Sequence, residues 1–223
     1  MRCVRAAAAL LLAAFLAAAG AAQLDVVPGE DAQLAQAFAA YEAGDLPRAR
    51  ALYAGAAGRG QRVAQFNLAV MLVNGEGGAP DPAGSLMWLR RSADGGFARA
   101  QYCLALLYER GEGVPRSLTD ATEWFRRAAE QDYRDAQVSL ATQYFIGRGV
   151  SRDYAQAARW YERAAEQGDQ GAAYIIASQY ESGDGVAVDL HRAFYWYSVA
   201  AGSGDEVARL KARQVQQKLG ERR

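Results

Sequence analysis

The chain's four tryptophans fall at Trp88, Trp124, Trp160 and Trp196, one every 36 residues. Tyr108, Tyr144 and Tyr180 keep the same interval. So do Gly75, Gly111, Gly147 and Gly183, and the glycines two places after each of them. A fixed period in the range of about 20–50 residues constrains the fold more than any composition can. It marks a stack of like units, each too small to bury its own apolar face, that build a core by packing on their neighbours.

Each unit reads as a helical hairpin. In "ARAQYCLALLYERGEG", Ala100, Leu104 and Tyr108 lie at i, i+4 and i+8, one apolar face of a first helix. Gly111 and Gly113 end it, since glycine takes the left-handed conformation that closes a helix. Asp81, Ser117, Asp153 and Asp189 hold equivalent positions and are expected to cap the next helix. Pro82 follows Asp81 at a first helical position, where proline is tolerated. The second helix carries Ala121, Trp124, Phe125, Ala128 and Ala129 at three-to-four spacing. Ala69, Ala105, Ala141 and Ala177 are small, which suits close approach of two helices. Each tryptophan is expected to wedge between neighbouring hairpins.

The ends depart from the pattern. "YEAGDLPRARALYAGAAGRG" passes from Gly44 directly to Asp45 and lacks the Gly-x-Gly loop. "DEVARLKARQVQQKLGERR" begins like a further unit at Ala208 and then turns rich in Arg, Lys and Gln, as suits a terminal helix with one side in water. The organisation read from the sequence is a signal peptide over 1–22 and a lead-in over 23–29, followed by a repeat domain over 30–223. Its units are 30–60, 61–96, 97–132, 133–168 and 169–204, closed by a capping helix over 205–223.

Residues Tyr144–Gly168, "YFIGRGVSRDYAQAARWYERAAEQG", carry the pattern Tyr-x-x-Gly-x-Gly-Val-x-x-Asp-x-x-x-Ala-x-x-Trp-x-x-x-Ala-Ala-x-x-Gly at nearly every marked position. The units from Tyr108 and Tyr180 match almost as well. The unit from Leu72 departs at Gly78 and Ser85, and that from Tyr41 is closer to a plain tetratricopeptide hairpin. The pattern resembles the Sel1-like repeat, a relative of the tetratricopeptide repeat, over almost all of the chain after the N-terminal segment. The resemblance implies an all-α fold, a right-handed superhelical solenoid of antiparallel helix pairs whose first helices line a concave face. It implies scaffold or adaptor work rather than chemistry. Some members pair cysteines across each hairpin; this chain lacks those pairs, and their functions are not carried over.

Composition narrows the function classes. Lys+Arg and Asp+Glu are both 25, so no net charge points to nucleic acid or an anionic membrane. "MRCVR", the apolar run Ala6–Ala19 and the small residues "GAA" form the three-part layout of a secretory signal peptide, with cleavage expected after Ala22 and Ala21 the near alternative. The apolar run is shorter than the roughly 20 residues that span a bilayer, which disfavours a signal anchor. Cys3 precedes that run and is not placed for lipid attachment. The expected location is therefore periplasmic or secreted. Cys103 then stands as the single mature thiol, read as a packing residue, and no internal disulfide can form. His191 is the single histidine, so no His/Cys metal cluster can form. The Gly111-Glu112-Gly113 loop and its copies follow no strand and precede no Lys-Ser/Thr, so they read as helix ends and not as phosphate loops. No catalytic residue, cofactor or metal is expected.

If the family's curvature applies, the groove is lined by Phe66, Val70, Tyr102, Leu106, Phe145, Ile146 and Tyr174, a row of aromatic and aliphatic groups where a merely soluble face would be charged. The competing reading is that these side chains pack between adjacent repeats. Two functions follow. The first is a periplasmic module holding a peptide or protein segment in the groove, tied by the family resemblance to membrane sensors or envelope assembly. The second is a hydrolase or binding protein acting on cell-wall material. On the export reading, N-terminal sequencing of protein from the envelope fraction will find Gln23 or Ala22 first. An intact Met1 on cytoplasmic protein is the contrary result.

Overall fold

The computed structural model describes residues 32–202 and 204–221; the expected signal peptide and lead-in lie outside them. Eleven helices and no strands occur among the described residues. The chain divides into two compact units, Met1–Arg127 and Ala128–Arg223. The first holds α1 (Ala32–Glu42), α2 (Leu46–Gly58), α3 (Arg62–Asn74), α4 (Pro82–Asp94), α5 (Ala98–Arg110) and most of α6 (Leu118–Ala129). The second holds α7 (Arg134–Ile146), α8 (Tyr154–Glu166), α9 (Gln170–Ser182), α10 (Leu190–Ala201) and α11 (Glu206–Glu221). Within each unit, consecutive helices pair as hairpins and hairpins stack on one another.

Local chemistry closes each hairpin the same way. Gly75, Gly111, Gly147 and Gly183 all sit in the left-handed region as C-caps of first helices. After five residues of loop the cap residue folds back. Its own N–H donates to a carbonyl near the end of the first helix: Asp81 to Leu72 at 2.8 Å, and Ser117, Asp153 and Asp189 to Tyr108, Tyr144 and Tyr180 at 2.9 Å. Its side chain then accepts from the third residue of the new helix, Gly84 at 2.9 Å, Asp120 at 3.3 Å, Gln156 at 3.0 Å and Arg192 at 3.0 Å. One residue thus satisfies an acceptor at the end of one helix and a donor at the start of the next.

The second glycine of the loop does different work. A Cβ on Gly77 would lie 2.3 Å from the Leu46 carbonyl oxygen, and one on Gly185 would lie 2.2 Å from the Tyr154 carbonyl carbon. Leu46 and Tyr154 open the second helix of the preceding hairpin. These two loops therefore rest main chain on main chain against that hairpin, whereas a Cβ on Gly113 would meet only the Leu86 side chain, at 3.9 Å.

A second periodic contact joins hairpins. Gln65 donates to the Ala57 carbonyl at 3.2 Å, Gln101 to Ala93 at 3.1 Å and Gln137 to Ala129 at 3.3 Å. All three glutamines are buried. Each brings a second donor to a carbonyl near the C-terminus of the previous second helix, beside the turn N–H that the same carbonyl accepts. The turn at that C-terminus uses glycine at Gly60, Gly96, Gly168 and Gly204, but Asp132 stands at this register with φ 61°. Its carboxylate accepts from Gln137 at 3.2 Å and from Arg163 at 2.7 Å, contacts that offset the unfavourable backbone.

The tryptophans depart from the expected wedge. Trp88, Trp124 and Trp160 are half-buried, and a guanidinium three residues on lies over each ring: Arg91 at 4.7 Å, Arg127 at 4.6 Å and Arg163 at 4.9 Å. Only Trp196 is buried, against the edge of Tyr195 at 4.9 Å. The deepest position is the next residue along: Leu89, Phe125, Tyr161 and Tyr197 are all buried. A helix turns about 100° per residue, so the residue after each tryptophan points into the hairpin while the indole lies along its flank. Tyr161→Ala should cost about 3–5 kcal/mol. Trp160→Ala should cost about 1–2 kcal/mol, since much of its area stays in contact with water and arginine. Urea unfolding of the two variants checks the order, and a larger loss at Trp160 would refute it.

A candidate protein-binding surface on the first helices

The seven residues expected to line a groove separate into core and surface. Phe66 and Val70, on α3, are fully buried at 0% exposure, and Leu106, on α5, retains 8%. This corrects their reading as groove residues. Phe66 packs edge-on against Phe97 at 5.4 Å, with Arg99 5.4 Å over its ring, so the segment leading into α5 covers it. Every residue of α3 from Val63 to Val73 is buried, and α3 has no open face.

Tyr102, Phe145 and Tyr174 are half-buried. In the first unit, Tyr102 tilts onto Phe125 of its own hairpin at 5.7 Å. In the second, Tyr174 meets Tyr197 edge-on at 5.3 Å, and Phe145 meets Tyr154 at 5.2 Å and Tyr161 at 6.4 Å. Each ring therefore has one side spent on the second helix of its hairpin. Ile146, the last residue of α7, is 53% exposed and follows Phe145 directly. The Arg152 guanidinium lies 5.4 Å over the Tyr154 ring that supports Phe145. Phe145 and Tyr154 thus form an aromatic pair with a cation over one ring, and the exposed Ile146 follows Phe145 in the chain.

The polar groups of the second unit fix this framework. The Tyr161 and Thr142 hydroxyls are 2.9 Å apart, and burial pushes the Tyr161 phenol up. Tyr180 donates to Glu162 at 3.1 Å beneath Arg192, which lies 4.5 Å over its ring and bonds Glu162 at 2.9 Å. Burial, followed by the Glu162 charge, pushes Tyr180 up to about 12. Glu181 is the hub at the far end. It accepts from the Tyr197 hydroxyl at 3.0 Å and from Lys218 at 2.6 Å, with Lys211 at 3.8 Å. Burial alone would raise its carboxyl, but these donors and charges hold it below the usual carboxylate range.

The sequence reading missed the buried glutamines and the role of Glu181 as a hub, and it named Phe125 without giving the residue after each tryptophan the deepest place. The glutamines had a signal, because Gln65, Gln101 and Gln137 recur at the 36-residue interval on an otherwise apolar face. Nothing in the repeat pattern marks Glu181, whose lysine partners lie outside the pattern.

Four segments, 62–97, 98–133, 134–169 and 171–205, match the Sel1 repeat model, and the chain belongs to the Sel1 repeat family. It is similar to a Sel1 repeat protein from Oxalobacter formigenes, with 31% identity over 79% of this chain and 73% of that one and a TM-score of 0.72. It is also similar to c5321, a protective antigen of uropathogenic Escherichia coli strains displaying an SLR fold, with 33% identity and a TM-score of 0.72. That match covers 90% of this chain and 43% of the other, so this chain spans less than half of that structure's length. No curated protein matches this chain. Sel1 repeats generally serve as protein–protein interaction scaffolds, typically without catalysis. Among the described residues no helix is long and apolar enough to cross a membrane, and no group of three His, Cys, Asp or Glu side chains could hold a metal ion.

The Glu181 hub has a pH signature. Its folded pKa is depressed, so its stabilisation is complete above the ordinary carboxylate pKa of about 4.3 and is lost as pH falls through the folded value. Glu181→Gln should therefore lower the melting temperature at pH 7, and the gap to wild type should close below about pH 4. A gap that is constant with pH would show that the carboxylate charge contributes nothing.

Proposed function

We propose that this protein is an exported interaction scaffold of the bacterial cell envelope that holds a peptide or protein segment against the first helices of its hairpins. The observation that carries the reading is the exposure of Ile146, at 53%, beside the half-open rings of Phe145 and Tyr154. A large aliphatic side chain in water gains by burial, and a neighbouring aromatic pair gives a partner's apolar residue a rigid floor. Tyr174, half-buried, extends the surface within the second unit. The signal-like N-terminus supports export, and the family's scaffold role supports binding without chemistry. Regulation of a membrane sensor or of envelope assembly fits such a binder.

Photo-cross-linking in living cells tests the site. A benzoylphenylalanine at position 146 or 174 should give a discrete partner adduct, while one at Arg159, exposed on the outer side of α8, should give none. Ile146→Asp should remove the adduct at 174 without changing the helical spectrum, since large side chains at an interface centre commonly contribute about 2 kcal/mol or more. Equal adducts at 146 and 159 would defeat the assignment. Turnover of peptidoglycan by repurified protein would favour the cell-wall hydrolase instead.

A further inference from the structure

The residue before the helix-closing glycine steadies the loop that follows in three of the hairpins. Asn74 Nδ2 donates to Glu76 at 2.9 Å, Arg110 lies 3.9 Å from Glu112, and the Ser182 hydroxyl donates to Asp184 at 2.6 Å. Glu76 in turn hydrogen-bonds Tyr41 of the preceding hairpin. Two further contacts hold the same loop to that hairpin. Arg50 donates to the Ala79 carbonyl at 3.2 Å, and Gly77 sits on the Leu46 main chain. Asn74 is therefore the first link of a seam between the two hairpins that open the first unit.

The three donors differ in chemistry. Only Asn74 is an amide, and Gly75 follows it. The main-chain nitrogen after an asparagine can close a five-membered ring on the side-chain carbonyl carbon. Glycine leaves that nitrogen unhindered, since it carries no Cβ. Asn74 is exposed, as the last residue of α3. The Gly75 and Glu76 N–H groups both close the helix on one acceptor, the Met71 carbonyl. Ring closure needs a main-chain rotation that the helix forbids, so it must wait until this turn opens. Final turns fray readily, without unfolding of the whole. Asn67, the chain's other asparagine, is fully buried within the same helix and precedes Leu68.

From these features we infer that Asn74 is a self-modification site, at which the protein deamidates and the new carboxylate loosens the loop from the first hairpin. A bond forms between the Gly75 nitrogen and Asn74 Cγ. The Cγ–Nδ2 bond breaks, and the Gly75 N–H proton leaves with Nδ2 as ammonia. Water then opens the cyclic imide at either carbonyl, giving aspartate at one and isoaspartate at the other. The balance is amide plus water to acid plus ammonia, with nothing oxidised or reduced. The product replaces a donor to Glu76 with a second carboxylate. Like charges at that distance repel, and each disfavours ionisation of the other. The new charge also falls at a helix C-terminus, where negative charge is unfavourable. Glu76 is pushed off the position from which it meets Tyr41, and the seam loses one of its holds. Arg110 and Ser182, which hold the same register, cannot change in this way.

Peptide mass spectrometry of the full protein, aged in buffer at mildly alkaline pH, tests the chemistry. Residue 74 should exchange NH for O, with aspartate and isoaspartate both present, while Asn67 keeps its amide. The exchange should run faster in urea than in buffer, because the closed turn guards the site. Asn74→Ser, which keeps a donor as Ser182 does, should neither convert nor lose stability. Asn74→Asp, the product itself, should melt about 2–4 °C below the unaged protein. Most of that loss should vanish when the same substitution is made in a Glu76→Gln background. An amide at 74 that survives in buffer after the urea sample has converted would overturn the modification. Asn74→Asp as stable as wild type, or a loss that Glu76→Gln leaves unchanged, would overturn its effect on the seam. None of these readouts involves Ile146, so failure here leaves the first-helix site standing, and the converse also holds.

Discussion

Two helices can approach only as closely as the side chains between them permit, and in this protein alanine sets that distance. Ala69, Ala105, Ala141 and Ala177 recur at one register of the first helix and are all excluded from water. Facing them are Ser85, Ala121, Ala157 and Ala193, equally small and equally buried. The close crossing that results puts Ser85 within hydrogen-bond reach of the Ala69 main chain and lets Tyr197 lie against Tyr174. Larger residues at the seam would push the pair apart and open voids, each with a loss of dispersion contact. The tyrosine contacts within each hairpin and the folded-back caps presuppose this spacing.

The hairpin architecture was legible because the period is strict and its punctuation is chemical. Gly111 ends a helix and Ser117 starts one, and neither signal depends on what lies far away in the chain. The side of a helix that a residue occupies was less legible. Tryptophan draws the eye as the largest apolar residue, yet Tyr161 and not Trp160 fills the hairpin, because a single step along a helix separates flank from interior. The same limit applied to the expected groove. Phe66 and Ile146 share no register but were read as one face, and they differ as much as two side chains can, the first wholly enclosed and the second largely in water. What decided the matter was Phe97 and Arg99, whose reach over Phe66 no periodicity reveals.

Charge follows a division of labour that repetition alone would not give. Where the pattern is regular, arginines lie flat on tryptophans and cover apolar area with their own stems and planar heads. Where the pattern lapses, the chain turns to its two lysines, and both are spent on Glu181. A point charge on a flexible stem suits an irregular junction, whereas a stacked guanidinium suits a surface that recurs. Asp132 belongs to the same economy. It takes the backbone conformation of the glycine found elsewhere at its register and in exchange gains Arg163 and Gln137 as partners.

The main-chain seat of Gly77 on Leu46 and of Gly185 on Tyr154 acts as a mechanical gauge. The step from one hairpin to the next is there set by peptide groups, which every sequence possesses, and not by side chains, which differ. The residues between the paired glycines do not set that step, although the Glu76 carboxylate hydrogen-bonds Tyr41 of the preceding hairpin. They read Glu76, Glu112, Arg148 and Asp184, so the sign of the loop reverses in one repeat while the geometry of the turn does not. A scaffold built in this way separates its ruler from its lettering. At these two seats the interval is written in glycine and backbone, while the charge carried between the glycines varies from repeat to repeat.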